Sequence, residues 1–258
     1  MRNCLLQRHA VYHRTNMATR DCLVIAHRGA SSYAPENTFA AFDLALPMGA
    51  QHLELDVQMS RDGHLAVIHD DLVDRTTNGK GAVAAHTLAE LQTLDAGAWF
   101  GAQFAGERIP TLAAVLERYR GRAHLHVEIK GKTTGLSERT ADMIRDLGWV
   151  LDVTMTSFQI DKLEALRAHA PELPAGWLLR QIDEAVIAKA RALGLAQLCP
   201  KADIVTPQLV NQLRAAGFNV RAWGVANEEL MRAMVAAGVD EMTVNFPDRL
   251  IGFLRTPR

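Results

Sequence analysis

From Ser137 to the end of the chain, short apolar runs alternate with helical segments, and that alternation is the strongest constraint on the fold. A helix between two strands is the usual crossover for a parallel pair, because parallel neighbours cannot be joined by a tight turn. The helix boundaries carry their own signals. Thr206-Pro207 reads as an N-cap with proline in the first turn, Leu209, Val210 and Leu213 supply one apolar stripe, and Gly217 closes the segment. Asn227 to Gly238 repeats the scheme with Leu230, Met231, Met234 and Val235, and Asp183 to Gly194 does so with Val186, Ile187, Ala190 and Leu193. All three stripes are expected to pack as core.

The strand candidates are Leu23–His27, His52–Val57, Leu65–His69, His124–Ile129, Val153–Phe158, Gly176–Leu179, Ala196–Cys199, Val220–Val225 and Glu241–Val244, one more than a simple eight-stranded barrel needs. The link from Asp56 to His69 is too short for a crossover helix and contains the turn signal Arg61-Asp62-Gly63, so one arm is expected to be antiparallel. A two-residue Asp62-Gly63 turn pairs residues whose numbers sum to 125 and sets Asp56 opposite His69, with Glu54 on the same face. A register one residue away would undo that pairing. Residues 71 to 110 interrupt the alternation with Asn78-Gly79-Lys80-Gly81 and the aromatics Trp99, Phe100 and Phe104; they read as an excursion from the barrel that shapes its pocket or caps it. Pro110-Thr111 then restarts a helix with Leu112, Val115, Leu116 and Tyr119 facing inward.

At 258 residues and 48% hydrophobic content, one large core suffices for the whole chain. A net charge of −1 without a basic stripe argues against a nucleic-acid partner. Cys4, Cys22 and Cys199 are too few and too scattered for a disulfide framework or a thiolate metal site and read as reduced thiols. With no apolar run of the roughly 18 to 20 residues a membrane span requires, and no secretory apolar segment at its start, the chain is expected in the cytoplasm. Residues 1–20 carry Arg2, Arg8, Arg14 and Arg20 with no acid and no apolar stripe; they are expected to form a disordered extension, with Met17 as an alternative start, ahead of a single domain over residues 21–258.

Polar pairs stand at the ends of several apolar runs: His27-Arg28, Glu54 with Asp56, His69-Asp70, and Glu128 with Lys130. Leu53, Leu55 and Val57 alternate with the acids of the second run, so those acids must face water, a lumen or a cation. Alone, each pair would read as a solvated strand edge or an ion pair. Together, Glu54, Asp56 and Glu128 offer hard oxygen ligands suited to Mg²⁺ or Ca²⁺. His27 and His69 titrate near neutrality and suit proton transfer in phosphodiester cleavage, while Arg28 and Lys130 would complement a phosphate or neutralise the neighbouring acids. The other histidines, His124 among them, read as hydrogen-bonded structural residues.

The set His27-Arg28-Gly29, Pro35-Glu36-Asn37-Thr38, Gly49-Ala50, Leu53-Glu54-Leu55-Asp56-Val57, Asp62-Gly63, His69-Asp70, Arg75-Thr76-Thr77 and Glu128-Ile129-Lys130 resembles the glycerophosphodiester phosphodiesterases in order and spacing over residues 23 to 250. The resemblance implies a modified TIM (β/α)8 barrel with a small insertion after the strand ending at His69, here residues 71–110. It implies hydrolysis of glycerophosphodiesters to glycerol 3-phosphate and an alcohol. Carried over, His27 and His69 become the acid/base pair, Glu54, Asp56 and Glu128 the ligands of one divalent cation, Mg²⁺ or Ca²⁺, and Arg28 and Lys130 the phosphate contacts. Phe158 and Trp223 match positions that contact glycerol or the leaving group, and equally positions that pack the barrel. Gly224 replaces the family's usual Thr, Asn245 a common Asp, and Pro47 breaks the first helix; these departures are expected to touch the pocket rim and packing. A sugar-phosphate lyase or isomerase on the same barrel, and a non-catalytic glycerophosphodiester-binding barrel, are the competing readings. Oligomeric state and head-group preference stay open.

Overall fold

The computed structural model describes residues 22–256. The expected disordered extension at 1–20 and Cys4 lie outside them. The strands are β1 (Leu23–His27), β2 (His52–Met59), β3 (Leu65–Val67), β4 (His124–Ile129), β5 (Val153–Ser157), β6 (Ala175–Leu179), β7 (Gln197–Pro200), β8 (Asn219–Val225) and β9 (Glu241–Val244). β1 pairs with both β2 and β9, and parallel ladders run from β2 through β4 to β9, so eight strands close into a parallel barrel with β3 as the extra, antiparallel arm. This is a TIM barrel.

How β3 attaches decides much of the site. β4 covers one edge of β2 from His52 to Val57, and β1 covers the other edge only as far as Glu54. The vacated upper stretch of that second edge is taken by β3, with Val57 opposite Val67, Gln58 opposite Ala66 and Met59 opposite Leu65. These pairs are one residue out of the register expected from a two-residue turn. The turn instead has three residues, Arg61 to Gly63, closed by Ser60 N–H donating to His64 O at 2.9 Å, with Gly63 at φ 81°. Glycine takes that left-handed conformation without a Cβ clash, which favours the three-residue hairpin. Asp56 therefore faces Ile68, whose N–H donates to Asp56 O at 3.0 Å, and His69 lies past the ladder. Because β3 descends along the same edge that β1 ascends, the chain leaves β3 beside the end of β1.

The helices follow the caps seen in sequence. Asp183, Thr206 and Asn227 accept from the backbone N–H groups of Val186, Leu209 and Leu230 at 2.8, 3.1 and 2.9 Å. They start α6 (Glu184–Ala192), α7 (Pro207–Ala215) and α8 (Glu228–Ala237), preceded by α1 (Phe39–Ala45), α2 (Leu88–Thr93), α3 (Leu112–Tyr119), α4 (Leu136–Asp146) and α5 (Ile160–His169) and followed by α9 (Pro247–Arg255). Val210, Leu213, Met231, Met234, Val235, Ile187 and Ala190 are buried, and Leu209, Leu230, Val186 and Leu193 pack at the margin of the same core. Leu112, Val115, Leu116 and Tyr119 are fully buried. The 71–110 excursion closes a second small core, in which Val73, Val83, Leu91, Ala96 and Ile109 pack with Ala66 and Ile68. Cys22 and Cys199 are buried free thiols, and no helix among the described residues is long and apolar enough to cross a membrane.

Candidate active site

Alternation along β2 and β4 places His52, Glu54 and Asp56 of one strand, and His124, His126 and Glu128 of the other, on the lumenal face. The barrel register puts Asp56 beside Glu128 and Glu54 beside His126. Lower in the lumen, His52 Nδ1 lies 3.1 Å from His126 Nε2, and His124 Nε2 lies 2.9 Å from Thr154 Oγ1. Beside them Arg221 is 1% exposed and donates through Nε to Thr243 Oγ1 at 2.7 Å, while Gln197 Nε2 donates to both oxygens of Glu241 at 2.9 Å. This hydrogen-bonded layer fills the barrel beneath the carboxylates.

At the C-terminal mouth, one oxygen from each of Glu54, Asp56 and Glu128 lies within 4.8 Å of the others, and all three residues are buried. Burial, then the charges of Asp56 and Glu128, pushes the Glu54 carboxyl up, and burial with Asp56 does the same to Glu128. Burial also opposes ionisation of Asp56, but Arg28, His69 and Lys130 outweigh it and hold that carboxyl below its ordinary range. Asn37, at φ 58°, donates through Nδ2 to Asp56 Oδ2 at 2.9 Å. Asp56 Oδ1 is buried without a hydrogen-bond partner among the described residues, with Lys130 Nζ 3.9 Å away. Three crowded buried carboxylates and an unsatisfied oxygen are the donor set that a hard divalent cation fits.

The two histidines are held alike but by different partners. His27, the last residue of β1, has Nδ1 at 2.6 Å from Asn245 Oδ1 and Nε2 at 3.9 Å from Glu54 Oε2. His69 has Nδ1 at 2.5 Å from Asp70 Oδ1, and Asp70 Oδ2 accepts from Arg75 Nε at 2.6 Å. With Nδ1–H donated to an oxygen, Nε2 of each ring faces the site, as a lone pair in the neutral form and as an N–H donor in the imidazolium. Burial and then Arg28 lower the His27 pKa to about 3. His69 is also lowered, first by burial, with Asp56 and Asp70 pulling the other way.

Arg28 is tied down at several points. Its backbone N–H donates to Glu54 Oε2 at 3.0 Å, Nη1 donates to Glu36 Oε1 at 2.7 Å, and Nε lies 3.1 Å from Asp56 Oδ2. Glu36 accepts in turn from both terminal nitrogens of Arg75, at 2.9 and 2.7 Å, which fastens the insertion to the site. The sharp path here needs Gly29, at φ 84°, where a Cβ would stand 2.5 Å from the Ala41 carbonyl carbon. Lys130 donates to Glu128 Oε1 at 2.8 Å. A cavity of about 560 Å³ opens beside these groups, lined among others by His69, Glu128, Lys130 and Phe158. Trp223 packs edge to face on Phe158 at 4.8 Å between centroids and donates its indole N–H to Cys199 O.

All nine residues singled out in sequence thus gather at one end of the barrel, Trp223 through its packing on Phe158. Asn37, Glu36, Arg75 and Asn245 join the site without a role predicted from the sequence, although the first three lie within the recognised motifs. Asn245 goes beyond the expected effect on the pocket rim and packing: it holds the ring of His27. Nothing local in the sequence links residues 218 apart; the parallel pairing of β1 with β9 does.

A (β/α)8 barrel whose mouth gathers three carboxylates that could hold a metal ion, two oriented histidines and two cations has the arrangement of a phosphoester-cleaving enzyme. Comparison with known proteins makes this specific. Residues 27–249 match the model of the glycerophosphoryl diester phosphodiesterase family. A glycerophosphodiester phosphodiesterase of Caldanaerobacter subterraneus subsp. tengcongensis is 40% identical over 237 residues, covering 90% of this chain and 98% of the relative. Among solved structures, a glycerophosphodiester phosphodiesterase from Agrobacterium tumefaciens is 35% identical with a TM-score of 0.82, covering 90% of this chain and all of that one. An Oleispira antarctica phosphodiesterase in complex with the product sn-glycerol-3-phosphate is 33% identical with a TM-score of 0.84, covering 90% and 96%. The chain belongs to the glycerophosphoryl diester phosphodiesterase family.

Proposed function

We propose that this protein hydrolyses glycerophosphodiesters to glycerol 3-phosphate and an alcohol, with Mg²⁺ or Ca²⁺ held by Glu54, Asp56 and Glu128. The observation that carries the reading is the convergence of those carboxylates with His27 and His69 at one barrel mouth, in a member of this family. When bound, the cation would draw charge from a phosphate oxygen and acidify a neighbouring hydroxyl.

The residues themselves divide the remaining work. Arg28 and Lys130 present cationic donors that offset the phosphate charge, Arg28 in an orientation fixed by Glu36 and Asp56. His27 is the base: its partner is a neutral amide, Arg28 disfavours its protonated form, and its Nε2 is an available lone pair. His69 is the acid, because Asp70 on Nδ1 stabilises the imidazolium that donates a proton from Nε2 to the departing oxygen. Asp70 is pinned by Arg75 and Arg75 by Glu36, so the orientation of the acid depends on the insertion.

The test is release of glycerol 3-phosphate from glycerophosphoethanolamine by purified protein with excess Mg²⁺ or Ca²⁺, repeated after chelation. Metal-dependent release is expected. Conversion that leaves the phosphate diester intact would favour isomerase chemistry, and binding without release would favour a non-catalytic barrel.

A further inference from the structure

Arg180 follows the last residue of β6 and stands exposed at the C-terminal mouth. Its guanidinium carbon lies 5.3 Å from the ring centroid of Phe158 and 5.2 Å from that of Trp223. The Trp223 ring and the Phe158 backbone are each held by a hydrogen bond. Trp223 donates to Cys199 O at 2.9 Å, and the carbonyl of Phe158 accepts from the Trp177 indole at 3.3 Å. The guanidinium therefore sits against an edge-to-face aromatic pair.

Cation–π contact with two mutually perpendicular rings places the guanidinium without using an oxygen acceptor, so its N–H donors are left for another partner. Around this mouth Arg28, Arg75, Lys130, Lys132 and Lys201 each pair with a carboxylate. Arg180 makes no ion pair or hydrogen bond among the described residues. The mouth thus presents a cation placed by two rings and without an acceptor among the described residues, and guanidinium N–H donors suit a carboxylate or phosphate. Phe158 lines the cavity that holds Glu128 and Lys130, and both Lys130 Nζ, at 5.2 Å, and Arg180 lie against its ring, so Arg180 stands one side chain away from the cavity.

We infer that Arg180 is a specificity residue that binds an anionic group on the alcohol half of the diester, so that this protein favours diesters whose alcohol carries a carboxylate or phosphate. The inference rests on the phosphodiesterase reading above. The alcohol half is assigned because the glycerol half carries no charge beyond the shared phosphate.

Glycerophosphoserine and glycerophosphoethanolamine differ by a single carboxylate, so the ratio of their kcat/KM values isolates the proposed contact. Wild-type protein is expected to favour glycerophosphoserine by about 10-fold or more, the range for a charge-assisted hydrogen bond. Arg180→Gln should reduce that ratio about 10-fold, and Arg180→Lys should retain part of it by keeping the charge without the guanidinium donors. General damage to the aromatic pair lowers both substrates together and leaves the ratio unchanged. A ratio equal in wild type and Arg180→Gln overturns the inference alone, whereas release from neither substrate by wild type overturns the phosphodiesterase reading and this inference with it. Repeating the comparison with a glycerophosphoinositol phosphate distinguishes a phosphate from a carboxylate as the preferred anion.

Discussion

Replacing Asn245 by Asp should move the acid limb of the pH profile while leaving catalysis near pH 8 largely intact. His27 Nδ1 lies 2.6 Å from Asn245 Oδ1, its side chain is 31% exposed, and desolvation with Arg28 lowers its pKa to about 3. Aspartate keeps the acceptor that fixes the tautomer but adds a full negative charge at hydrogen-bond distance. Two unit charges about 4 Å apart interact by about 4 kcal/mol at an effective dielectric of 20 and about 1 kcal/mol in water. A partly exposed ring falls between those limits, which corresponds to a rise of about 1 to 3 pH units. The sign follows from the role: a base works unprotonated, so a raised pKa makes activity fail at higher pH. With saturating Mg²⁺ keeping the three carboxylates ionised, kcat/KM of Asn245→Asp should fall several-fold relative to wild type at about pH 5 and converge with it at about pH 8. Superimposable acid limbs would refute the assignment of His27 as the base in contact with Asn245.

Other outcomes follow from the same geometry. His27→Ala and His69→Ala should each lower turnover about 10²-fold or more with an unchanged circular dichroism spectrum; near-wild-type turnover in either would remove that histidine from the mechanism. Adding Mg²⁺ or Ca²⁺ to chelated protein should raise Tm by mass action, and Asp56→Asn should shift that titration to higher metal concentration because Asp56 Oδ1 is a buried oxygen without a hydrogen-bond partner among the described residues. An identical titration in the variant would place the ion elsewhere. Gly29→Ala should destabilise the fold by about 3 kcal/mol or more, since it combines a left-handed backbone with a Cβ 2.5 Å from the Ala41 carbonyl carbon. An unchanged denaturation midpoint would contradict that path of the β1 end.

Much of this protein could be read along the chain because the physics involved is local. Alternation in β2 and β4 put the acids on one face, helix caps marked where each crossover begins, and the apolar stripes that pack around the barrel have a period that any helix imposes. The hairpin arm was equally legible as an arm. Its register was not, since a two-residue and a three-residue turn both fit Arg61-Asp62-Gly63, and the choice lies in whether Gly63 adopts φ 81° with Ser60 and His64 closing the loop. Tertiary structure alone decided what meets across the barrel. Closure of β1 onto β9 brings Asn245 to His27, the vacated edge of β2 delivers His69 to the same mouth, and Arg75 reaches from the insertion to Glu36 and Asp70. Such contacts depend on where strands end relative to one another in a closed sheet, a property of the whole ladder of pairings that no stretch of sequence carries by itself.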